Sequence, residues 1–475
     1  MKPAGASAAP ADDAGWVSLY ERPDKIYPRS VSGRFTRLRW ATVWLTQAVF
    51  YGVPWLRWNG RQAVLFDLDT PRFFVFGLVL QPHDLVFLAA LLVIAAMTLF
   101  FFTAVAGRLW CGYACPQTVY TEIFLWIERH TEGDRSARIR LDAAPWSPDK
   151  LLRKGGKHLL WMLLSLYTGF TFVGYFIAIR ELAGQAAALA LTPWPTFWIL
   201  FYGAATYGNA GWMREQICKY MCPYARFQST MIDADSLVIA YDNLRGEPRG
   251  ARARRADPAA LGLGSCVDCT LCVQVCPTGI DIRKGLQNEC IGCAACIDVC
   301  DSVMDRLGYA RGLIRYATAN AVALGWSRAQ MLQRLWRPRV LVYAAVLVAA
   351  MGTFVAALAL RAPVAMDVVR DRGVMARLGE GGRVENVYRV QLRNRTERPA
   401  RYRLLAQGLP GLDVDAGASL ELGPGEVRPF TVRLVVSADK ASTLASGSHP
   451  ITLELAASDG GEALARERST FVLPR

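Results

Sequence analysis

The sequence predicts a multi-domain membrane protein: a five-helix transmembrane α-bundle, a cysteine-rich segment between the fourth and fifth helices, and a C-terminal antiparallel β-sandwich. Three observations predict it. Five apolar runs are each of membrane-spanning length, the first marginally. All twelve Cys fall within residues 111–300, in groups of short regular spacing. From about residue 363, apolar and polar residues alternate with period two.

Composition narrows the class. A hydrophobic fraction of 53% with 14 Trp in 475 residues is high for a soluble protein. The net charge of +14 suits either nucleic acid or an anionic membrane surface, so position must decide. The charges flank the apolar runs. The basic stretch Arg245, Arg249, Arg252, Arg254 and Arg255 is broken by Gly, Pro and Ala and has no interleaved aromatics, which reads as a lipid-facing linker; no nucleic-acid partner is expected. Four His, at 83, 130, 158 and 449, are too few for multi-haem function.

Along the chain, residues 1–39 form an N-terminal tail whose first 15 residues are rich in Ala, Pro and Asp and lack the apolar core of a cleavable signal. The apolar runs follow at about 40–57, 85–106, 159–179, 192–212 and 340–360, and those at 85–106 and 340–360 contain no charged residue. About 20 helical residues cover the roughly 30 Å of a bilayer core. Arg29, Arg34, Arg37 and Arg39 precede the first run, and nine Lys or Arg, from Arg108 to Lys157, lie between the second and third. Arg180 stands alone between the third and fourth. This bias places the tail and the segment 231–338 in the cytoplasm and residues 362–475 outside. The resulting domains are a four-helix membrane domain at 40–230, a cytoplasmic segment at 231–338 with its cysteine-rich part at about 260–310, a fifth helix at 339–361 and an outer sandwich at 362–475. Within the sandwich, Tyr388-Val390-Leu392, Phe430-Val432-Leu434 and Ile451-Leu453-Leu455 alternate with polar residues.

The motifs that carry chemistry are cysteines. Cys266-x-x-Cys269-x-x-Cys272-x-x-x-Cys276-Pro277 is followed by Cys290-x-x-Cys293-x-x-Cys296-x-x-x-Cys300. Three thiolates at this spacing wrap one face of a cubane and the fourth reaches the neighbouring cluster, as in bacterial-type two-cluster ferredoxins. Two 4Fe-4S clusters are therefore expected, one on Cys266, Cys269, Cys272 and Cys300, the other on Cys290, Cys293, Cys296 and Cys276. Tetrahedral zinc has no use for this doubled four-Cys pattern.

A second motif is repeated: Cys111-Gly-Tyr-Ala-Cys115-Pro116 after the second run and Cys218-Lys-Tyr-Met-Cys222-Pro223 after the fourth. Spacing of four puts both sulfurs on one helical face, and the following Pro ends the turn. Each pair can chelate a soft metal ion or act as a redox dithiol, with Arg108 and Arg214 upstream expected to favour thiolate. The equivalent positions suggest a duplicated half. Thiolates select Cu(I), so such a site increases the driving force for reducing Cu(II).

Together, Trp110-Cys-Gly-Tyr-Ala-Cys-Pro-Gln117, Met221-Cys-Pro-Tyr-Ala-Arg-Phe-Gln228, Cys290-Ile-Gly-Cys-Ala-Ala-Cys296 and Gly312-Leu-Ile-Arg-Tyr316 resemble the CcoG (FixG, Rdx) family over nearly the whole chain from about Tyr20. The resemblance implies a membrane-bound iron-sulfur cupric reductase of the bacterial inner membrane, supplying Cu(I) for assembly of cbb3-type cytochrome c oxidase. It also implies an immunoglobulin-like fold for the outer sandwich. The partners implied are copper ions, copper chaperones or oxidase assembly factors, and an electron donor the sequence does not identify; a homo-oligomer is compatible with it. On this reading Cys111, Cys115, Cys218 and Cys222 form the copper-reducing, metal-binding site. The membrane half is also similar to quinol dehydrogenases of the NapH and NosR type, which makes a quinol-oxidising electron conduit the alternative, and a non-catalytic assembly scaffold the third reading.

Overall fold

Helices form on all five apolar runs, with their ends set by proline, glycine and capping side chains. A computed structural model describes residues 25–253, 260–371, 376–415, 420–458 and 462–474; the tail at 1–24 and the basic residues Arg254 and Arg255 lie outside the described residues. The first helix spans Arg34–Gly52 and passes into a short turn at Pro54. The second, Leu85–Ala106, is started by a capping box in which the Gln81 backbone N–H donates to the Asp84 carboxylate at 3.0 Å. The helix on the third run begins well before it, at Pro148, where Ser147 accepts from the Lys150 N–H, and stops at Gly174. The fourth, Pro193–Thr206, continues as a π-helix over Tyr207–Met213, and a second π-helical turn spans Ile217–Met221. The fifth is Pro338–Ala359.

Among the described residues, two helical stretches are long and apolar enough to cross a membrane, Pro82–Ala106 and Pro338–Ala359. They pack on each other, with the Phe87 and Phe354 rings 6.1 Å apart. The other three fall short for physical reasons. Arg34–Gly52 carries Arg34, Arg37 and Arg39 in its first turns. The helix Pro148–Val173 opens with Lys150, Arg153, Lys154 and Lys157, so its apolar part from Leu159 covers only roughly 22 Å. Regular α-helix on the fourth run ends at Thr206.

Residues 57–80, between the first two helices, form two small antiparallel sheets of strands two to four residues long. Strands this short leave no period-two signal. These sheets dock on the C-terminal sandwich: the Glu397 carboxylate receives Arg61, Asn59 and Trp58, and Asp84 pairs with Arg361 and Arg395.

The sandwich itself is two antiparallel sheets, as alternation predicts. One orders Leu412–Asp415, Val427–Val436, Val384–Asn394 and Val364–Arg370; the other orders Leu420–Leu422, Ala400–Gln407, Gly447–Ala457 and Ala465–Leu473. Inward residues Tyr388, Val390, Leu392, Val432, Leu434, Leu453, Leu455 and Phe471 are all fully buried between them.

The cysteine-rich segment is framed by paired strands Val238–Tyr241 and Ile314–Ala317 and sits under the start of the first helix. There the Asp298 carboxylate accepts from the Phe35 and Thr36 N–H groups at 3.1 and 2.7 Å and from the Thr36 hydroxyl at 2.8 Å. It caps that helix from outside, an anion at the positive end of the dipole. Gly33 is needed for the approach, because a Cβ there would stand 2.3 Å from Asp298 Cγ.

Candidate functional site

The two cysteine loops of the ferredoxin-like segment share one backbone conformation. In Cys266–Cys272 the chain takes positive φ at Asp268 (53°) and Thr270 (56°); in Cys290–Cys296 it does so at the equivalent Gly292 (71°) and Ala294 (59°). Non-glycine residues seldom adopt this region unless the surroundings demand it. Alternating conformations of this kind turn successive N–H groups to one side, the concave form that accommodates an anionic cluster. Cys266, Cys269, Cys272 and Cys300 line one cavity, walled by Val299, Val303, Met304, Leu313 and Ile314. Cys276, Cys290, Cys293 and Cys296 are electrostatic neighbours of one another, and Cys296 also interacts with Cys272 of the first set. Cys269 is exposed, whereas Cys293 and Cys296 are buried. All twelve cysteines are free thiols. Among the described residues no three His, Cys, Asp or Glu side chains converge as one metal ion requires.

The second motif places its cysteines at helix starts. Cys111 lies in the short helix Leu109–Tyr113, and Cys115 is the N-cap of Pro116–Glu132. Cys218 lies in the π-helical turn Ile217–Met221, and Cys222 is the N-cap of Pro223–Met231. The two pairs come together: Cys218 interacts electrostatically with Cys115, Cys111 and Cys222, and Cys115 with Cys222. Two helix N-termini, supplying positive dipole ends, therefore bring four thiols within electrostatic range of one another, though not into a set that already converges on one ion. At Cys111, Cys115 and Cys218 burial works against the expected thiolate character. Burial, with the neighbouring Cys115 next, pushes the Cys111 thiol up to about 11, and burial pushes Cys218 up to about 12; Arg108 opposes both but is outweighed. Burial also raises Cys115, against the N–H groups of Gln117 and Thr118. Arg108 spends its guanidinium on the carbonyls of Asn288 and Ala225, the latter at 2.7 Å, and Arg214 pairs with Glu128 at 2.6 Å.

The thiol group and the ferredoxin-like segment touch through two glycines. A methyl group on Gly112 would stand 2.8 Å from the carbonyl carbon and oxygen of Gly292 and 2.9 Å from Cα of Cys293; one on Gly292 would stand 3.1 Å from the Arg108 carbonyl oxygen. Backbone meets backbone, with no side chain between. Cys111 and Cys218 both pack on the core that holds Cys293 and Cys296. Cys218 and Cys293 line one narrow cavity, with Arg39, Glu122 and Arg214 around it. Tyr316 donates to the Gly292 carbonyl at 2.7 Å, and the buried Arg39 reaches the Cys293 carbonyl at 3.4 Å and Glu122 at 3.4 Å.

Sequence reasoning names all twelve cysteines but misses what seats them. Gly292, like Gly279, Ala294 and Ala295, is legible as a small residue suited to a chain packed tightly on a cluster, and Gly112 could have been singled out as the glycine inside the Cys111–Cys115 motif. Arg39 is legible only as one of the basic residues before the first helix and Tyr316 only as the end of Gly312-Leu-Ile-Arg-Tyr316, and Asp298 carries no local signal. Nor does the buried carboxylate Glu128, which receives Arg214 and Arg138 at 2.6 and 2.7 Å, with Lys157 held by Glu132 at 2.9 Å alongside.

Comparison with known proteins assigns three regions of the chain. Residues 213–319 match a 4Fe-4S dicluster domain, residues 88–132 a 4Fe-4S binding domain, and residues 354–474 the immunoglobulin-like fold at the C-terminus of FixG. The chain is 41% identical over 454 residues to the nitrogen fixation protein FixG of Rhizobium meliloti, covering 87% of each chain. It is 39% identical to protein RdxA of Cereibacter sphaeroides, covering 90% of this chain and 92% of the relative, and 38% identical to RdxB of the same organism, covering 91% and 93%.

Proposed function

This chain belongs to the FixG/CcoG family of iron-sulfur proteins of oxidoreductase type, and from that premise we propose that it reduces Cu(II) to Cu(I) for assembly of the copper centre of a cbb3-type cytochrome c oxidase. One observation carries the reading: four thiols from two repeated motifs meet where Gly112 abuts Gly292 and Cys293, so an electron held beside Cys293 has a short backbone path to a soft-metal site.

Cys266, Cys269, Cys272 and Cys300 would hold one 4Fe-4S cluster and Cys276, Cys290, Cys293 and Cys296 the other; the left-handed turns at Asp268, Thr270, Gly292 and Ala294 fit these groups. Bound clusters supply one-electron storage. The rest is the work of the chain's own residues. Cys111, Cys115, Cys218 and Cys222 receive the copper ion, which is substrate. Thiolate sulfur prefers Cu(I), so the site favours the reduced product. Because burial raises the Cys111, Cys115 and Cys218 thiols, copper binding there displaces protons, and the N-termini of Pro116–Glu132 and Pro223–Met231 compensate the charge that remains. Arg39 and Tyr316 hold the 290–293 loop against the helices.

In this reading five helices cross the bacterial inner membrane, the N-terminus and the cluster segment lie in the cytoplasm, and the sandwich lies in the periplasm. The Lys and Arg asymmetry supports that orientation. Copper chaperones or oxidase assembly factors would receive the Cu(I). Replacing Cys111 and Cys115, or Cys218 and Cys222, by Ser tests the reading: both clusters should assemble while Cu(I) binding weakens and cupric reduction slows. Parental copper binding and reduction in the fourfold variant would place the site elsewhere.

A further inference from the structure

A cavity of about 430 Å³ shares Arg214 and Glu215 with the one that Cys218 lines and takes no part in the chemistry above. Its volume is that of a small-molecule site. Its walls include Trp161, His158, Trp212, Arg214, Glu215 and Lys25. Trp161 is 2% exposed and stacks on Phe124 at 5.0 Å. His158 stands edge-on to Trp161 at 5.3 Å and stacks with Trp212 at 6.0 Å, and its Nδ1 is 2.8 Å from the Tyr207 hydroxyl. Trp212, on the π-helical stretch Tyr207–Met213, is 69% exposed. π-Helical turns recur at functional sites, and the next residue outside this one, Arg214, has φ 39°, a strained value for a side-chain-bearing residue. Gly211 lets the backbone close on Trp161, whose ring would lie 3.0 Å from a Cβ at that position.

The chemistry of the walls selects the ligand. Their cations are largely spoken for: Arg214 pairs with Glu128, and Lys154 and Lys157 with Glu132 at 3.0 and 2.9 Å. A phosphate-bearing cofactor would find few unpaired charges, whereas a neutral planar ring finds two indoles and an imidazole. Burial, with Lys157 next, holds His158 below its ordinary value, which favours the neutral ring. Arg214 and Glu215 line this cavity and also the one shared by Cys218 and Cys293.

We infer that this cavity binds the head of a membrane hydroquinone, which is the electron donor for the cupric reduction proposed above and on which this inference rests. With Nδ1–H donating to the Tyr207 oxygen, Nε2 of His158 accepts a hydroquinone O–H proton; the second proton leaves to water at the mouth. The hydroquinone is oxidised to quinone, losing two electrons and two protons, and two Cu(II) are reduced to two Cu(I). His158 touches the substrate, and Tyr207 is a positioning residue.

The test uses the full-length holoprotein in lipid nanodiscs with decylubiquinone and its hydroquinone as probes, comparing the parent with His158→Gln and Trp212→Ala. Equilibrium dialysis should show quinone binding weakened about tenfold or more in each variant. Anaerobic bleaching of the visible absorbance by the hydroquinone should slow in step, while bleaching by dithionite, which bypasses the cavity, stays parental. Failure of the parent to bind the quinone, parental binding and bleaching in both variants, or displacement of the quinone by flavin mononucleotide would each overturn the inference. Rapid hydroquinone-driven bleaching without any Cu(I) formation would instead sink the copper reading and leave the quinol site standing.

Discussion

Replacing Gly112 by Ala adds one methyl group at the contact between the thiol helix and the 290–293 loop. That Cβ would stand 2.8 Å from the Gly292 carbonyl and 2.9 Å from Cys293 Cα. Comfortable carbon contacts are about 3.5–4.0 Å, so the two backbones must part by on the order of 0.7 Å. All three nearest atoms are backbone, and none can rotate away. Overpacking of this kind costs about 1–3 kcal/mol, offset by about 0.5–1 kcal/mol because Ala suits a helix better than Gly. The variant should therefore fold and keep its iron and sulfide. Its cupric reduction should fall by about tenfold, since misplacement of about 1 Å can cost up to about a hundredfold in rate. The assay is anaerobic Cu(I) formation by purified protein reduced beforehand with dithionite, beside Gly155→Ala, where nothing lies within 4 Å of the added methyl. The reasoning is refuted if Gly112→Ala reduces copper at the parental rate while Gly155→Ala is equally silent.

Other outcomes follow from the same geometry. Iron and acid-labile sulfide should each approach about eight per chain; about twelve would mean that the Cys111, Cys115, Cys218 and Cys222 group holds a cluster of its own. Ending the chain after residue 362 removes the sandwich and its contacts to Arg61, Asn59 and Asp84, all on the side away from the cysteines, so the cluster absorbance and copper reduction in detergent should persist. Loss of reductase activity with normal clusters would contradict this. Burial alone would raise the Glu128 carboxyl, but Arg214, Arg138 and Lys157 outweigh it and hold the group below its ordinary value. Its contribution to stability is thus complete above the unfolded value of about 4.3 and is lost as pH falls through the lower folded value. Glu128→Gln should lower Tm at pH 7, because removing one partner of a buried pair leaves the other charge uncompensated at a cost of about 3–5 kcal/mol, and flatten the fall of Tm below about pH 5. A parallel pH dependence in parent and variant would show that Glu128 is not the group that titrates.

Covalent spacing made the cysteines legible: eight residues at two-residue and three-residue intervals specify a pair of four-ligand cages, and the structure gives both loops the same left-handed turns. Alternation likewise made the sandwich legible, because Tyr388, Val390 and Leu392 must all face one way on a strand. What escaped the sequence depends on contacts between distant residues. Glycine 112 looks like any glycine until Gly292, far along the chain, is laid against it. The charge on Arg108 suggested thiolate, but desolvation of Cys111 outweighs a guanidinium that is turned toward Asn288 and Ala225. The strands at 57–80 were too short to read, and the helix on the third run extends back to Pro148 because Ser147 caps it, whereas hydropathy registers only its apolar half. His158 is silent in sequence and acquires meaning only from Tyr207, Trp161 and Trp212 around it.

The central claim is that electrons stored on this chain leave through the four-thiol group to copper. It is tested most directly by anaerobic titration of the dithionite-reduced, desalted holoprotein with Cu(II) in the presence of a Cu(I)-specific chelator, following the visible absorbance of the clusters and the chelate together. The account predicts one Cu(I) formed per electron lost, and a marked slowing when Cys111, Cys115, Cys218 and Cys222 are all replaced by Ser with the cluster absorbance preserved. Clusters that stay reduced while Cu(II) persists, or a fourfold variant as fast as the parent, would contradict it.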